Sequence, residues 1–171
     1  MTSRHPIATL QARLPYLGLV GIVLLLDRVS KSVIHSRFDL GETLPVVNGF
    51  FDIIYVRNTG VAFGLFSSVS SPAKATLLSV FAASAAVIVV FYSIRNPVGH
   101  RLLQLSLALI LGGALGNLYD RVMHGYVIDF LSFHLNVYHW PAFNVADTAI
   151  SVGVIFLAAE IINDEITARA G

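Results

Sequence analysis

The chain has 171 residues, 56% of them hydrophobic and only 12% charged, with a mean hydropathy of +0.75. Soluble domains of this length carry about 25% charged residues, so too little polar surface is present to cover a particle in water. A formal net charge of +1 with no Lys/Arg run excludes a polybasic nucleic-acid footprint, and the absence of cysteine excludes disulfides, thiol nucleophiles and thiolate metal sites.

Arg4 and Arg13 precede the apolar run 14–26, the outline of a secretory signal peptide. No small-x-small cleavage site follows and the run ends in Asp27-Arg28, so a retained first span is expected at about 14–34. A membrane-crossing helix needs ~20 mostly apolar residues. Further segments qualify at about 73–94, 102–119 and 145–162, the first of them without a charge after Lys74.

The segment 38–66 has a different texture, rich in strand formers and turn signals. Val46-Val47-Asn48-Gly49-Phe50-Phe51 sets Asn-Gly between apolar pairs, a hairpin signal, and residues 52–57 continue as strand. Open strand edges cannot face lipid, so this β unit is expected outside the hydrocarbon, resting on helix ends. Residues 124–141 include Phe133, Tyr138 and Trp140, types that settle at headgroup level, and predict an interfacial amphipathic segment. With no internal repeat, one domain over 1–171 is expected: an all-α membrane protein with a small β unit and four transmembrane helices. Both termini and the turn 95–101 then share one side, with the β-rich loop and the interfacial segment on the other. The termini side carries Arg4, Arg13, Arg95, Arg101 and Arg169. The positive-inside rule makes that side cytoplasmic if Arg28, Lys31 and Arg121 are set aside as site residues.

Ionisable groups at the ends of such apolar helices are costly, and each calls for an account. Asp27 and Lys31 are spaced i,i+4 with the acid first, the better orientation for an ion pair that lets the helix end near the interface. Gly112 and Gly116 form a small-xxx-small face that admits a neighbouring helix. Asn117 lies one turn before Asp120 and Arg121. Asp129 sits alone between apolar neighbours in Val127-Ile128-Asp129-Phe130. In Phe143-Asn144-Val145-Ala146-Asp147, Asn144 suits an N-cap and Asp147 the third helical position, a relative of the capping box that gives Asp147 a structural role by itself. The three aspartates, Asn117, Asn144 and Arg121 converge on one membrane face, beside the loop carrying Arg57-Asn58-Thr59-Gly60. Two adjacent carboxylates cannot both ionise cheaply, so one keeps a proton and acts as acid while the other acts as base. Such a pair with a water between suits peptide-bond hydrolysis, although spacing leaves open which two of the three aspartates form it. No Gly-x-Ser-x-Gly elbow or His-Glu-x-x-His pair is present, and His134 and His139 are five apart, off any shared helix face. No metal or cofactor is expected. Two non-enzymatic alternatives remain: a small ion- or proton-conducting protein, which places its acids mid-helix, and a membrane scaffold built on the Gly112/Gly116 face.

At these residues the sequence closely resembles the bacterial lipoprotein signal peptidase (signal peptidase II) family. The resemblance rests on Asp27-x-x-x-Lys31, Asn58-Thr59-Gly60-Val61-Ala62-Phe63, Gly112-Gly113-x-x-Gly116-Asn117-x-x-Asp120-Arg121, Val127-x-Asp129-Phe130 and Phe143-Asn144-x-Ala146-Asp147, in the family's order. It implies an inner-membrane aspartyl endopeptidase, active site toward the periplasm, that cuts diacylglyceryl-modified prolipoproteins just before the lipidated Cys. It implies Asp129 and Asp147 as the catalytic pair, and Asp27, Lys31, Asn58, Gly60, Asn117, Arg121 and Asn144 as residues that orient the pair and the substrate. Asp120 becomes a structural partner, of Arg121. Lipidated precursors and membrane lipids are the partners implied, with no obligate protein partner.

Overall fold

The computed structural model describes residues 6–60, 72–135 and 137–170. Arg4, the Val61-Ala62-Phe63 part of the Asn58 motif and the rest of the expected β-rich loop to residue 66 lie outside them. In chain order the elements are α1 (Pro6–Arg37), β1 (Thr43–Val47), β2 (Phe51–Asn58), α2 (Pro72–Arg95), α3 (Arg101–His124), β3 (Val127–Leu135), β4 (Tyr138–His139) and α4 (Val145–Ala170).

Among the described residues, three helices, over Thr76–Arg95, Arg101–His124 and Val145–Arg169, are long and apolar enough to cross a membrane. The fourth, α1, has 32 residues, but Asp27, Arg28 and Lys31 interrupt its apolar run. On α2 the side chains of Leu77, Phe81, Val87 and Ile88 are each at least 65% exposed, a surface suited to lipid rather than water. The central helix is α3, which packs against α1, α2 and α4 and runs on to His124 rather than stopping at Tyr119, so Asp120 and Arg121 belong to its last turns.

Glycines set the spacing of this bundle. A Cβ on Gly112 would come within 2.8 Å of Val23 Cβ on α1, and one on Gly116 within 2.7 Å of the Asp27 carboxylate. A Cβ on Gly113 would lie 2.3 Å from the Ala146 carbonyl oxygen on α4, a backbone atom that cannot rotate aside. Gly113→Ala is therefore expected to force α3 and α4 apart and cost about 1–3 kcal/mol, read as a lowered unfolding temperature in detergent. Gly99→Ala, where nothing lies within 4 Å, serves as the neutral control.

At the other end of the bundle, Arg13 donates to the Ser93 and Asn96 carbonyls at 2.9 and 3.0 Å, occupying orphan acceptors at the C-terminus of α2. Buried Gln104 completes this clasp through Ser93 Oγ (2.7 Å) and the Ser93 carbonyl (3.1 Å).

The strands form an antiparallel sheet in the order β1-β2-β3-β4. The Asn48-Gly49 hairpin is present, but as a three-residue loop, since Val47 pairs with Phe51 and Phe50 N–H donates to the Val47 carbonyl at 3.0 Å. Gly49 supplies the left-handed residue at φ 76°. Segment 124–141, expected as an interfacial segment, holds a strand and a short return strand, and β3 pairs with β2 from Phe51↔Phe133 to Asn58↔Val127. Pairing satisfies the backbone of both expected extramembrane regions at once, which neither achieves alone. His134 and His139 accordingly face each other across β3 and β4, their rings stacked at 5.1 Å. One sheet face packs Tyr55, Ile128 and Phe130 onto Ile34 of α1, which seats the sheet on the helix ends. Its other face carries Asp129.

Candidate active site

The site is assembled where β2, β3, α3 and α4 meet. The residues between β4 and α4 are tied to the sheet through Phe143, whose N–H donates to the Leu131 carbonyl at 3.0 Å and whose carbonyl accepts from Phe130 and Leu131 at 2.9 and 2.8 Å. That bridge places Asn144 beside Asp129. Asn144 is fully buried, and its amide donates to Asp129 Oδ1 at 2.7 Å. From β2, Asn58 donates to Asp129 Oδ2 at 2.8 Å, and its own Oδ1 is held by Gly60 N–H at 2.8 Å. Both oxygens of Asp129 thus accept from amides, and the residue is 2% exposed.

Asp147 stands in the first turn of α4, in the predicted box. Its N–H donates to Asn144 Oδ1 at 2.9 Å while its Oδ2 accepts from Asn144 N–H at 3.3 Å. The other oxygen, Oδ1, accepts from Asn117 Nδ2 at 2.7 Å. Asp147 is half-buried and shares with Asp129 a cavity of about 510 Å³, lined also by Asn58, Asn117, Arg121 and Trp140. Arg121 is held over this cavity by the Asn117 and Gly60 carbonyls, each at 3.5 Å. Burial first, then the Asp147 charge, pushes the Asp129 carboxyl up to about 7, against the opposing amide bonds from Asn58 and Asn144.

Beneath the two carboxylates lies a second, sealed layer. Lys31, Asp27 and Asp120 are each 0% exposed. Lys31 Nζ reaches Asp27 Oδ2 at 2.8 Å, Asp120 Oδ2 at 2.9 Å and Asn117 Oδ1 at 3.0 Å. Asp27 Oδ1 accepts from Ala146 N–H at 3.0 Å, satisfying an orphan amide of α4 from a helix more than a hundred residues away in sequence. The expected i,i+4 pair is present, then, but it also joins α1 to α3 and α4. Asp120 corrects an expectation: its partners are Lys31 and Arg28, not Arg121. The reason is helical geometry, since adjacent residues point about 100° apart. Asp120 faces α1 while Arg121 faces the cavity. Asp120 is absent from the cavity lining, which leaves Asp129 and Asp147 as the aspartates that share it.

Sequence reasoning set Arg28 aside as a site residue but gave it no partner; its guanidinium pairs with Asp120 and lies 4.2 Å from the Tyr119 ring centroid. Sequence reasoning also missed the Phe143 bridge. No sequence signal marks backbone pairing by a single residue.

The profile of the family described as Signal peptidase (SPase) II matches residues 19–163. The chain belongs to the signal peptidase II family. A lipoprotein signal peptidase of Syntrophus aciditrophicus (strain SB) is 45% identical over 150 residues, covering 88% of this chain and 93% of that protein. The lipoprotein signal peptidase of Desulforapulum autotrophicum is 38% identical over 145 residues, covering 85% and 90%. Among solved structures, a bacterial membrane enzyme determined at 2.3 Å superposes with a TM-score of 0.81 at 28% identity, covering 88% of this chain and 89% of that one. A second, determined at 1.9 Å, gives 0.79 at 27% identity, covering 88% and 94%. Membership makes the chain a peptidase, a hydrolase in a mostly helical fold with a small antiparallel sheet.

Proposed function

We propose that this protein is an aspartyl endopeptidase that removes the signal peptide from diacylglyceryl-modified prolipoproteins, cutting just before the lipidated cysteine. The observation that carries the proposal is a pair of carboxylates lining one cavity, one of them pushed to about 7 by burial and by the other's charge. A pair that shares one proton is the chemical requirement for water-mediated peptide hydrolysis.

Asp129, the more buried member, carries the proton and donates it to the scissile carbonyl oxygen. Asp147 takes a proton from the attacking water, whose oxygen bonds to the carbonyl carbon. Collapse of the resulting diol breaks the C–N bond. The proton held on Asp147 passes to the leaving amine, and a diol hydroxyl returns one to Asp129. Asn58 and Asn144 fix Asp129, Asn117 fixes Asp147, and the Arg121 guanidinium faces the charge that develops on the substrate. The proposal includes four membrane spans, with α1 as the first, cytoplasmic termini and a periplasmic site in the bacterial inner membrane. Its support is that Arg28 and Lys31 are bound in the buried network and Arg121 in the cavity. Setting them aside leaves Arg37, Arg57 and Lys74 on the site's side against the larger group of arginines opposite.

The test is incubation of the purified, reconstituted protein with a lipidated prolipoprotein and with its unlipidated precursor. Cleavage of the first and sparing of the second is expected. Equal cleavage of both removes the lipid from the substrate definition, and cleavage of neither ends the proposal. The shared proton also sets a pH dependence. Since Asp129 is raised, its proton is present below about 7 and lost above it. Turnover should therefore fall through an alkaline limb with an apparent midpoint near 7 that belongs to the coupled pair. Turnover that climbs steadily from pH 6 to pH 9 (on the order of a thousandfold loss of free protons) would contradict a protonated Asp129.

A further inference from the structure

Five residues of α4 line the cavity: Asp147, Thr148, Ile150, Ser151 and Val152. At about 100° per residue, Ser151 lies in the middle of the arc they span. It stands four residues after Asp147 on the same helix face, about 6 Å further along the axis. Its flanking neighbours in the lining, Ile150 and Val152, are apolar.

Hydroxyls in apolar helices ordinarily bond the carbonyl one turn back. Ser84, Ser106, Thr148 and Thr167 do so, at 2.7 to 2.9 Å. Ser151 is exposed to the cavity and has no hydrogen-bond partner among the described residues. Ser32 on α1 also has no hydrogen-bond partner among the described residues, but it does not line the cavity.

We propose that Ser151 is a substrate-positioning residue whose hydroxyl bonds a main-chain amide of the substrate on the signal-peptide side of the scissile bond. The inference rests on the peptidase reading above. A peptide bond attacked between two carboxylates must be drawn out of helix, which strips its neighbours of their internal hydrogen bonds within the membrane. A serine hydroxyl oxygen can accept from a freed N–H. Because α4 enters the bilayer from its Asp147 end, Ser151 lies deeper than the carboxylates, where the membrane-anchored signal peptide must pass. An extended chain advances about 3.3 Å per residue, so 6 Å places the contact about two residues before the bond that breaks.

The experiment compares wild type and Ser151→Ala, in the same proteoliposomes, on a lipidated precursor and on a version with an ester replacing the amide two residues before the scissile bond. Ser151→Ala should raise KM about fivefold with kcat within about twofold, the signature of a contact made equally in ground and transition states. The ester should weaken cleavage about fivefold for wild type and add nothing for Ser151→Ala, since the two changes delete the same bond. An unchanged melting temperature is expected, because the hydroxyl bonds nothing among the described residues. If the two proteins cleave with equal KM and respond equally to the ester, Ser151 has no such role. If wild type fails to cleave any lipidated precursor, the peptidase assignment falls, and this inference falls with it.

Discussion

Asn in place of Asp129 or of Asp147 should leave a folded, membrane-inserted protein whose cleavage of a lipidated prolipoprotein is reduced at least about a thousandfold. The fold survives because an amide has the carboxylate's shape, although each site loses something. Asp129 accepts from two amides, Asn58 and Asn144. An asparagine there can accept from one and must turn its own NH₂ toward the other. Asp147 accepts from Asn117 Nδ2 and from Asn144 N–H, with the same consequence. One unmatched bond at each position costs about 1–3 kcal/mol, visible as a lower melting temperature but not as unfolding. Activity has no such reserve. An amide neither gives a proton at Asp129 nor takes one at Asp147, and general acid–base catalysis is worth about 10²–10⁴ per group. Asp120→Asn supplies the contrast. It sits outside the cavity against Lys31 and Arg28, so its loss should appear first in stability. If Asp120→Asn abolished turnover at unchanged stability while Asp129→Asn kept it, the pair would have been assigned to the wrong aspartates.

That contrast also shows where sequence stopped being informative. Helices were legible because apolar runs of membrane length are long and unambiguous. The Asn144–Asp147 box was legible because both partners lie within one turn, where spacing fixes geometry. What spacing could not do was rank three aspartates gathered at one face. The family resemblance, not geometry, named Asp129, and the structure adds a reason in the direction each side chain points. Asp120 and Arg121 are adjacent in sequence and were expected to pair, yet a helix turns them toward different neighbours. The strand character of β3 was obscured by its aromatic and histidine content, which suits an interface equally well. Only pairing with β2, more than sixty residues earlier, decides it. The same holds for Asp27, whose i,i+4 spacing announced Lys31 but not the amide of Ala146 on α4.

Lys31→Met should be the most damaging substitution outside the cavity, and it should do two separable things. Lys31, Asp27, Asp120 and Arg28 form a group of two cations and two anions, and Lys31 touches both acids. Methionine fills much the same volume but leaves one carboxylate uncompensated in a sealed site, at a cost of about 3–5 kcal/mol. The second effect runs through Asn117. Lys31 and Asn144 Nδ2 both donate to its Oδ1, at 3.0 and 3.2 Å, which turns Nδ2 toward Asp147. Without the ammonium the amide is held by one donor in place of two, and Asp147 loses a fixed partner. A misplacement of this kind lowers turnover by about a hundredfold. Adding Asp27→Asn to Lys31→Met separates the effects. The pair Arg28–Asp120 remains balanced, and the side-chain amide oxygen introduced by Asp27→Asn can still accept from Ala146 N–H, so most of the lost stability should return. Orientation of Asn117 should not, because no cation has been restored beside Oδ1. The double variant is therefore expected to melt near wild type in detergent while cleaving lipidated substrate as slowly as Lys31→Met alone. Full recovery of cleavage would show that Lys31 serves charge balance only and that Asn117 orients Asp147 without it.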